Sequence, residues 1–256
     1  MAIILSIANQ KGGVGKTTTA VNLSAALQAV KKRVLLVDID PQGNATMGCG
    51  IEKNNIKNST CEVLLNECSI ENAIVHSDQV HIDVIPANIN LIAAEVSLLK
   101  GEHLEYRLKE AFAKVDDQYD YIIIDCPPSL NMLTINAFTA SKGIIIPMQC
   151  EYYALEGLSA LVQTIERIQL STNPDLEITG LIRTMYDARN NLSNEVSVQL
   201  QQYFGGKVFK TIIPRNVKLA EAPSFGLSAI NYARSSRGAI SYVSLASEVV
   251  RKTMVH

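Results

Sequence analysis

The chain predicts an α/β fold: a mostly parallel, twisted sheet with helices on both faces. Three observations carry this. Short apolar runs at about 3–8, 33–38, 82–86, 119–125, 143–148, 177–183 and 208–213 alternate with helix-length segments, the order in which parallel strands and their crossover helices follow one another. A glycine-rich turn, Gly12-Gly13-Val14-Gly15, joins the first run to a segment whose apolar residues Val21, Leu23, Leu27 and Val30 recur at helical spacing. Two later runs end in carboxylates, at Asp38 and Asp125, where ligands bind in open α/β sheets.

Ile3 to Ala8 reads as a buried strand and Lys16 opens the next helix, so the local order is strand, glycine loop, helix. Glycines let backbone N–H groups turn inward around an anion, and the helix N-terminus adds its partial positive charge. Lys16 is placed to neutralise the β- and γ-phosphates of a nucleotide, and Thr17, followed by Thr18, to give a hydroxyl to Mg²⁺. The loop departs from the general G-x-x-x-x-G-K-[ST] pattern, because Gln10 stands where the first glycine belongs. It carries instead a second cation, Lys11. At the mouth of the loop Lys11 faces outward, where it is either solvated or reaches a phosphate held by a second copy of the chain.

The second run, Arg33 to Asp38, continues through Ile39 and Asp40 and is stopped by Pro41-Gln42-Gly43-Asn44. Tyr121-Ile122-Ile123-Ile124-Asp125 repeats the pattern before Cys126-Pro127-Pro128-Ser129 turns the chain away from the sheet. Asp125 is the candidate Mg²⁺ carboxylate, holding the ion directly or through water. One apolar strand ending in Asp also arises where Asp caps the next helix. Three such carboxylates in register with one glycine loop do not share that explanation. Gly50 to Ser59, with Lys53, Asn54, Asn55 and Lys57, reads as a surface loop.

A length of 256 residues and an apolar content of 47% suit one α/β domain over 1–256, and no run approaches the roughly 18 apolar residues of a membrane span. The chain reaches its glycine loop within ten residues, leaving no room for a signal peptide or an N-terminal helix-turn-helix. Five cysteines form no C-x-x-C pair, which reads as reduced, cytoplasmic thiols. The net charge of −2 conceals an asymmetry: residues 1–176 hold 13 Lys/Arg against 20 Asp/Glu, and residues 177–256 hold 10 against 5. The C-terminal cations are scattered without an aromatic ladder, a pattern that suits phosphate-backbone contact better than base reading; from charge alone they serve equally as solvated faces.

The variant loop, with Lys11, resembles that of the deviant Walker A ATPases, the family of ParA/Soj partition ATPases, MinD, the nitrogenase iron protein and iron–sulfur carrier ATPases. Asp40-Pro41-Gln42-Gly43-Asn44, Gln149-Cys150-Glu151-Tyr152-Tyr153-Ala154-Leu155-Glu156-Gly157, Met185-Tyr186-Asp187-Ala188-Arg189 and the segment Ile213 to Ser224 are similar to the small chromosomal ParA/Soj branch, and the likeness covers essentially the whole chain. The resemblance implies a P-loop ATPase that binds ATP and Mg²⁺, retains ADP after hydrolysis and forms an ATP-dependent homodimer. Lys11 then crosses to the partner's nucleotide, Asp40 orients the attacking water and Asp38 supports the Mg²⁺ shell. Lys11, Gly12, Gly13, Val14, Gly15, Lys16, Thr17 and Thr18 surround the phosphates, and Pro214, Arg215 and Asn216 line the adenine pocket. It implies, further, non-specific double-stranded DNA as a partner, bound through Arg189 and Lys218, a ParB-like centromere-binding protein as stimulator, and a cytoplasmic, nucleoid-associated ATP state. The branch more often carries arginine at Lys218, which keeps the charge but loses the planar fork.

Rival readings make other demands. A MinD-like membrane ATPase ends in a basic amphipathic helix with bulky apolar residues, whereas the tail from Leu245 to His256 has two adjacent cations and no Phe or Trp, so no stable membrane insertion is expected. An iron–sulfur reductase needs paired cysteines that Cys126 and Cys150 do not supply at the right spacing. A biosynthetic amide- or carboxylate-ligase shares the P-loop, but not the Pro214 to Ser224 segment. A non-catalytic nucleotide-binding scaffold has no need for Lys16, Thr17, Asp40 and Asp125 together.

Overall fold

The computed structural model describes residues 1–152 and 154–254. Its strands are β1 (Ile3–Ile7), β2 (Val34–Asp38), β3 (Val75–Ser77), β4 (Ile82–Ile85), β5 (Tyr121–Asp125), β6 (Gly143–Gln149), β7 (Glu177–Tyr186) and β8 (Val208–Pro214). The helices are α1 (Lys16–Ala29), α2 (Asn44–Gly48), α3 (Thr60–Leu64), α4 (Ile70–Ala73), α5 (Leu91–Leu98), α6 (Arg107–Phe112), α7 (Met132–Ala140), α8 (Ala154–Ser171), α9 (Asn191–Phe204), α10 (Val217–Glu221), α11 (Ala229–Tyr232) and α12 (Arg237–Thr253). The strands form one sheet in the order β3-β4-β2-β5-β1-β6-β7-β8, parallel throughout except for β3, which pairs antiparallel with β4.

The strands read as unbroken apolar runs because both faces of the sheet are covered. In β5, Ile122 and Ile124 point into a core with Phe112 of α6, Leu133 and Phe138 of α7 and Leu161 and Ile165 of α8. Tyr121 and Ile123 point the other way, into a core with Leu23 and Leu27 of α1 and Tyr242, Leu245 and Val249 of α12. Alternation along one strand thus feeds two cores.

The seven runs expected from the sequence are all strands. β3 is the addition: three residues, with Val75 and His76 exposed, are too few to carry a periodic signal. β7 runs on to Tyr186, beyond the expected end, and its residue Met185 takes a left-handed backbone angle of φ 50°. The segment from Gly50 to Asn58 holds turns and bends without helix or strand, and Ser59 then caps α3 in a box with Glu62.

This topology positions the site. β1 lies between β5 and β6, so the chain moves outward from it in both directions and its C-terminal end is a topological switch point. Register puts Ile7, Asp125 and Asp38 side by side at that end.

Candidate nucleotide site and cationic surface

The loop after β1 is built for an anion. Gly13 and Gly15 take left-handed angles of φ 73° and 87°, and Gly15 is the residue immediately before α1, where a Cβ would be strained. Its carbonyl accepts from Thr19 N at 2.9 Å. The loop is pinned from two sides: Thr184 Oγ1 donates to the Val14 carbonyl at 2.7 Å, and Asn9 Nδ2 donates to the Pro147 carbonyl at 2.8 Å while its Oδ1 accepts from Lys11 N at 3.0 Å. Gly12 is open to solvent and a Cβ there meets nothing.

Lys16 is 7% exposed, and its Nζ donates to the Lys11 carbonyl at 3.1 Å. Burial lowers its pKa, opposed by the charges of Asp125 and Asp40. Lys11 pairs with Glu151 at 2.5 Å across the mouth of the loop, both side chains remaining partly exposed. Tyr152 lies beside this pair in the chain and is exposed; Tyr153 lies outside the described residues.

The three carboxylates differ in their hydrogen bonding. Asp38 is fully buried and satisfied: Oδ1 accepts from Asp40 N at 3.1 Å, and Oδ2 accepts from Thr46 N at 2.8 Å and Thr46 Oγ1 at 2.7 Å. Burial pushes its carboxyl up to about 6, against the pull of those donors. Asp40 is 9% exposed, with Oδ1 accepting from Gln42 N at 2.9 Å. Asp125 is fully buried, and among the described residues no hydrogen bond within 3.5 Å reaches either of its carboxylate oxygens, the Thr17 hydroxyl standing somewhat farther off. Burial, then the Asp38 charge, hold its carboxyl well above the usual range, while the Thr17 hydroxyl and Lys16 favour its ionised form. An orphaned buried carboxylate beside a threonine hydroxyl is a donor set that a hard divalent cation satisfies.

Beside the glycine loop is a cavity of about 260 Å³ lined by Gly15, Thr18, Thr184, Met185, Pro214, Arg215, Asn216, Leu219 and Tyr242 among others. Pro214 to Asn216 therefore sit against the loop although about 200 residues separate them in sequence. Asn216 also caps α10, its Oδ1 accepting from Lys218 N at 3.0 Å. Sequence reasoning missed Thr184, Met185, Tyr242 and Thr46. The left-handed Met185 marks the strained end of β7 at the cavity wall, but no local pattern announces it.

Arg189 and Lys218 are exposed, and each has a carboxylate neighbour. Arg189 makes a two-point contact with Asp187, Nε to Oδ1 at 2.9 Å and Nη2 to Oδ2 at 2.8 Å, and that contact lowers the Asp187 carboxyl to about 2. Lys218 Nζ donates to Glu221 at 2.8 Å and lies 5.4 Å from the centre of the Tyr232 ring. Arg189 shares an open cleft with Arg215 and Arg237, and Arg215 also lines the cavity beside the glycine loop.

A parallel sheet with a glycine loop and lysine at its switch point defines a P-loop nucleotide-binding protein of the α/β class. Residues 2–178 match a family model described as an AAA domain. The chain is 54% identical over 249 residues to the sporulation initiation inhibitor protein Soj of Bacillus subtilis, covering 97% of this chain and 98% of that protein. It is 47% identical over 249 residues to the chromosome partitioning protein ParA of Myxococcus xanthus, covering 97% and 88%. Among solved structures it resembles a Mycobacterium smegmatis chain described as cobyrinic acid a,c-diamide synthase with bound ATP analogue and magnesium, with a TM-score of 0.86, 39% identity and coverage of 98% and 95%. The chain belongs to the ParA/Soj family of chromosome-partitioning ATPases. Among the described residues, no helix is long and apolar enough to cross a membrane.

Proposed function

We propose that this chain is an ATP-driven partition switch: it binds ATP and Mg²⁺, pairs face to face with a second copy around the nucleotides, holds double-stranded DNA non-specifically in that state, and is reset by hydrolysis. The observation that carries the reading is the constellation at the C-terminal ends of the central strands, with buried Lys16, the buried Asp125 carboxylate and Asp40 grouped around the glycine loop. The higher identity to Soj and ParA than to the synthase supports partition over ligation.

Lys16 and the loop N–H groups bind the β- and γ-phosphates, and Pro214, Arg215 and Asn216 enclose the base. Thr17 and Asp125 hold Mg²⁺, with Asp38 fixing the strand end behind them; bound there, the ion neutralises charge on the phosphates. Asp40 orients the water that attacks the γ-phosphate. Lys11 exchanges Glu151 for the nucleotide of the second copy, which makes dimerisation and the completed site one event. Arg189 and Lys218 contact DNA phosphates, two copies doubling a contact that is weak in one. A ParB-like protein stimulates hydrolysis, and the ATP state resides on the nucleoid. The discriminating experiment is Asp40→Ala: ATP binding is retained, turnover falls roughly 10²-fold or more, and a DNA-bound dimer accumulates. Normal hydrolysis in this variant moves the water-positioning role elsewhere.

A further inference from the structure

We infer that the outer face of α5 is a docking surface for a cationic amphipathic helix of a partner protein, and that its occupation is relayed to the Asp40 loop. This rests on the partition-switch reading above and adds the surface through which that switch is addressed. α5 has two apolar faces. Leu91, Ala94 and Leu98 are buried in the core, whereas Ile89, Ile92, Val96 and Leu99 are 60%, 50%, 51% and 69% exposed. Ile92 and Val96 lie one turn apart on α5, and Ile89 in the turn before it and Leu99 just after it extend the exposed apolar stretch at both ends.

Single exposed apolar residues are ordinary, but four neighbouring ones within eleven residues form a patch of the kind that marks an interaction site. Four side chains are few beside the roughly 800 Å² that each partner of a stable globular pair buries, so the patch fits one helix better than the face of a second folded copy. Glu95 on α5, Glu102 in the bend after it and Glu105 on the short 3-10 helix that follows outnumber Lys100, so the complementary helix carries Lys or Arg beside its apolar seam.

Buried hydrogen bonds connect the segment that leads into this helix to Asp38. Thr46 Oγ1 donates to Asp38 Oδ2 at 2.7 Å and accepts from Ala87 N at 2.9 Å. Thr60 Oγ1 donates to the Asp38 carbonyl at 2.7 Å, and Thr60 N donates to the Pro86 carbonyl at 2.9 Å. Gly43, in the loop after Asp40, lies so near the Ala87 carbonyl that a Cβ there would sit 2.7 Å from it. Pro86 and Ala87 are thus shared between the lead-in to α5 and the strand end that presents Asp38 and Asp40. A helix seated on α5 bears on Pro86 and Ala87, whose carbonyl and N–H are bonded to Thr60 and Thr46, and so reaches the strand end through one connected set of buried hydrogen bonds.

The test is the double variant Ile92→Glu, Val96→Glu, on exposed positions that leave the core intact, assayed with the ParB-like protein of the same organism and duplex DNA. ATP-dependent dimerisation, DNA binding and basal hydrolysis stay at wild-type levels, and stimulation of hydrolysis falls about 10-fold or more, the scale of a central apolar contact replaced by charge. Undiminished stimulation overturns the docking surface. Loss of the ATP dimer overturns it too, by assigning the stripe to contact between copies. If wild type itself is not stimulated, the partition reading fails first and takes this one with it. For the relay, Thr46→Val binds the partner in a pull-down yet is not stimulated, while Thr46→Ser behaves as wild type. A Thr46→Val variant that is fully stimulated breaks the proposed path.

Discussion

At the scale of single residues, function follows from what burial does to charge. Lys16 is desolvated in its loop, donating to the Lys11 carbonyl with the charges of Asp125 and Asp40 nearby, an arrangement that a multiply charged anion and its cation complete. Lys16→Ala lowers ATP affinity about 100-fold, the two to three kcal/mol of a charge-assisted hydrogen bond, measured by nucleotide titration. Asp125 is the complementary case. Its carboxyl titrates well above the unfolded value of about 3.9, so the native chain binds more protons than the unfolded one from about pH 4 upward, and its contribution to stability falls as pH rises. Without nucleotide and Mg²⁺, Asp125→Asn therefore matches wild type near pH 4 and becomes progressively more stable than wild type toward pH 8. With ATP and Mg²⁺ the order reverses, because only wild type gains the ligand's stabilisation. Denaturant midpoints at several pH values read both effects, and a stability difference independent of pH contradicts the assignment.

At the scale of elements, the glycine loop, β2 and β5 were legible in the sequence because their chemistry needs local patterns: glycines before a lysine, apolar runs before an aspartate. What escaped depends on partners distant in the chain. Thr184 meets Val14 across 170 residues, Lys11 meets Glu151 across 140, and Thr46 acquires its role only when Asp38 and Ala87 converge on it. β3 escaped for another reason, since three residues at a sheet edge are held by pairing rather than by periodicity. Two glycines separate the folding requirement from the functional one. Gly43 has φ 62° and abuts the Ala87 carbonyl, so Gly43→Ala costs about 1–3 kcal/mol in urea unfolding. Gly12 has open space and no left-handed angle, so Gly12→Val leaves the monomer's stability and ATP binding intact. It blocks the close approach of a second copy, and sedimentation in ATP then gives a monomer; an ATP dimer contradicts the face-to-face arrangement.

At the scale of the whole molecule, charge is divided between an acidic stretch, 1–176, and a basic one, 177–256. The glycine loop, its lysine and the three carboxylates belong to residues 1–176, whereas most of the wall of the adjoining cavity and the excess of cations belong to 177–256, where Arg189 and Lys218 are exposed. Arg189→Glu replaces attraction by repulsion on each copy of a dimer and abolishes DNA binding, whereas ATP-dependent dimerisation and basal hydrolysis survive. Lys218→Ala gives a milder loss, uniform across DNA sequences, since a point charge on phosphate positions without reading bases. Loss of dimerisation in Arg189→Glu makes that residue structural instead.

The central claim is that the nucleotide decides whether the chain holds DNA, and a salt titration of wild-type binding to duplex DNA in ATP with Mg²⁺, in ADP with Mg²⁺ and without nucleotide tests it most directly. Binding in ATP alone, at dimer stoichiometry and with a log–log salt slope that grows by about 0.9 for each phosphate contacted, is the predicted result; equal affinity and equal slope in all three conditions contradict it.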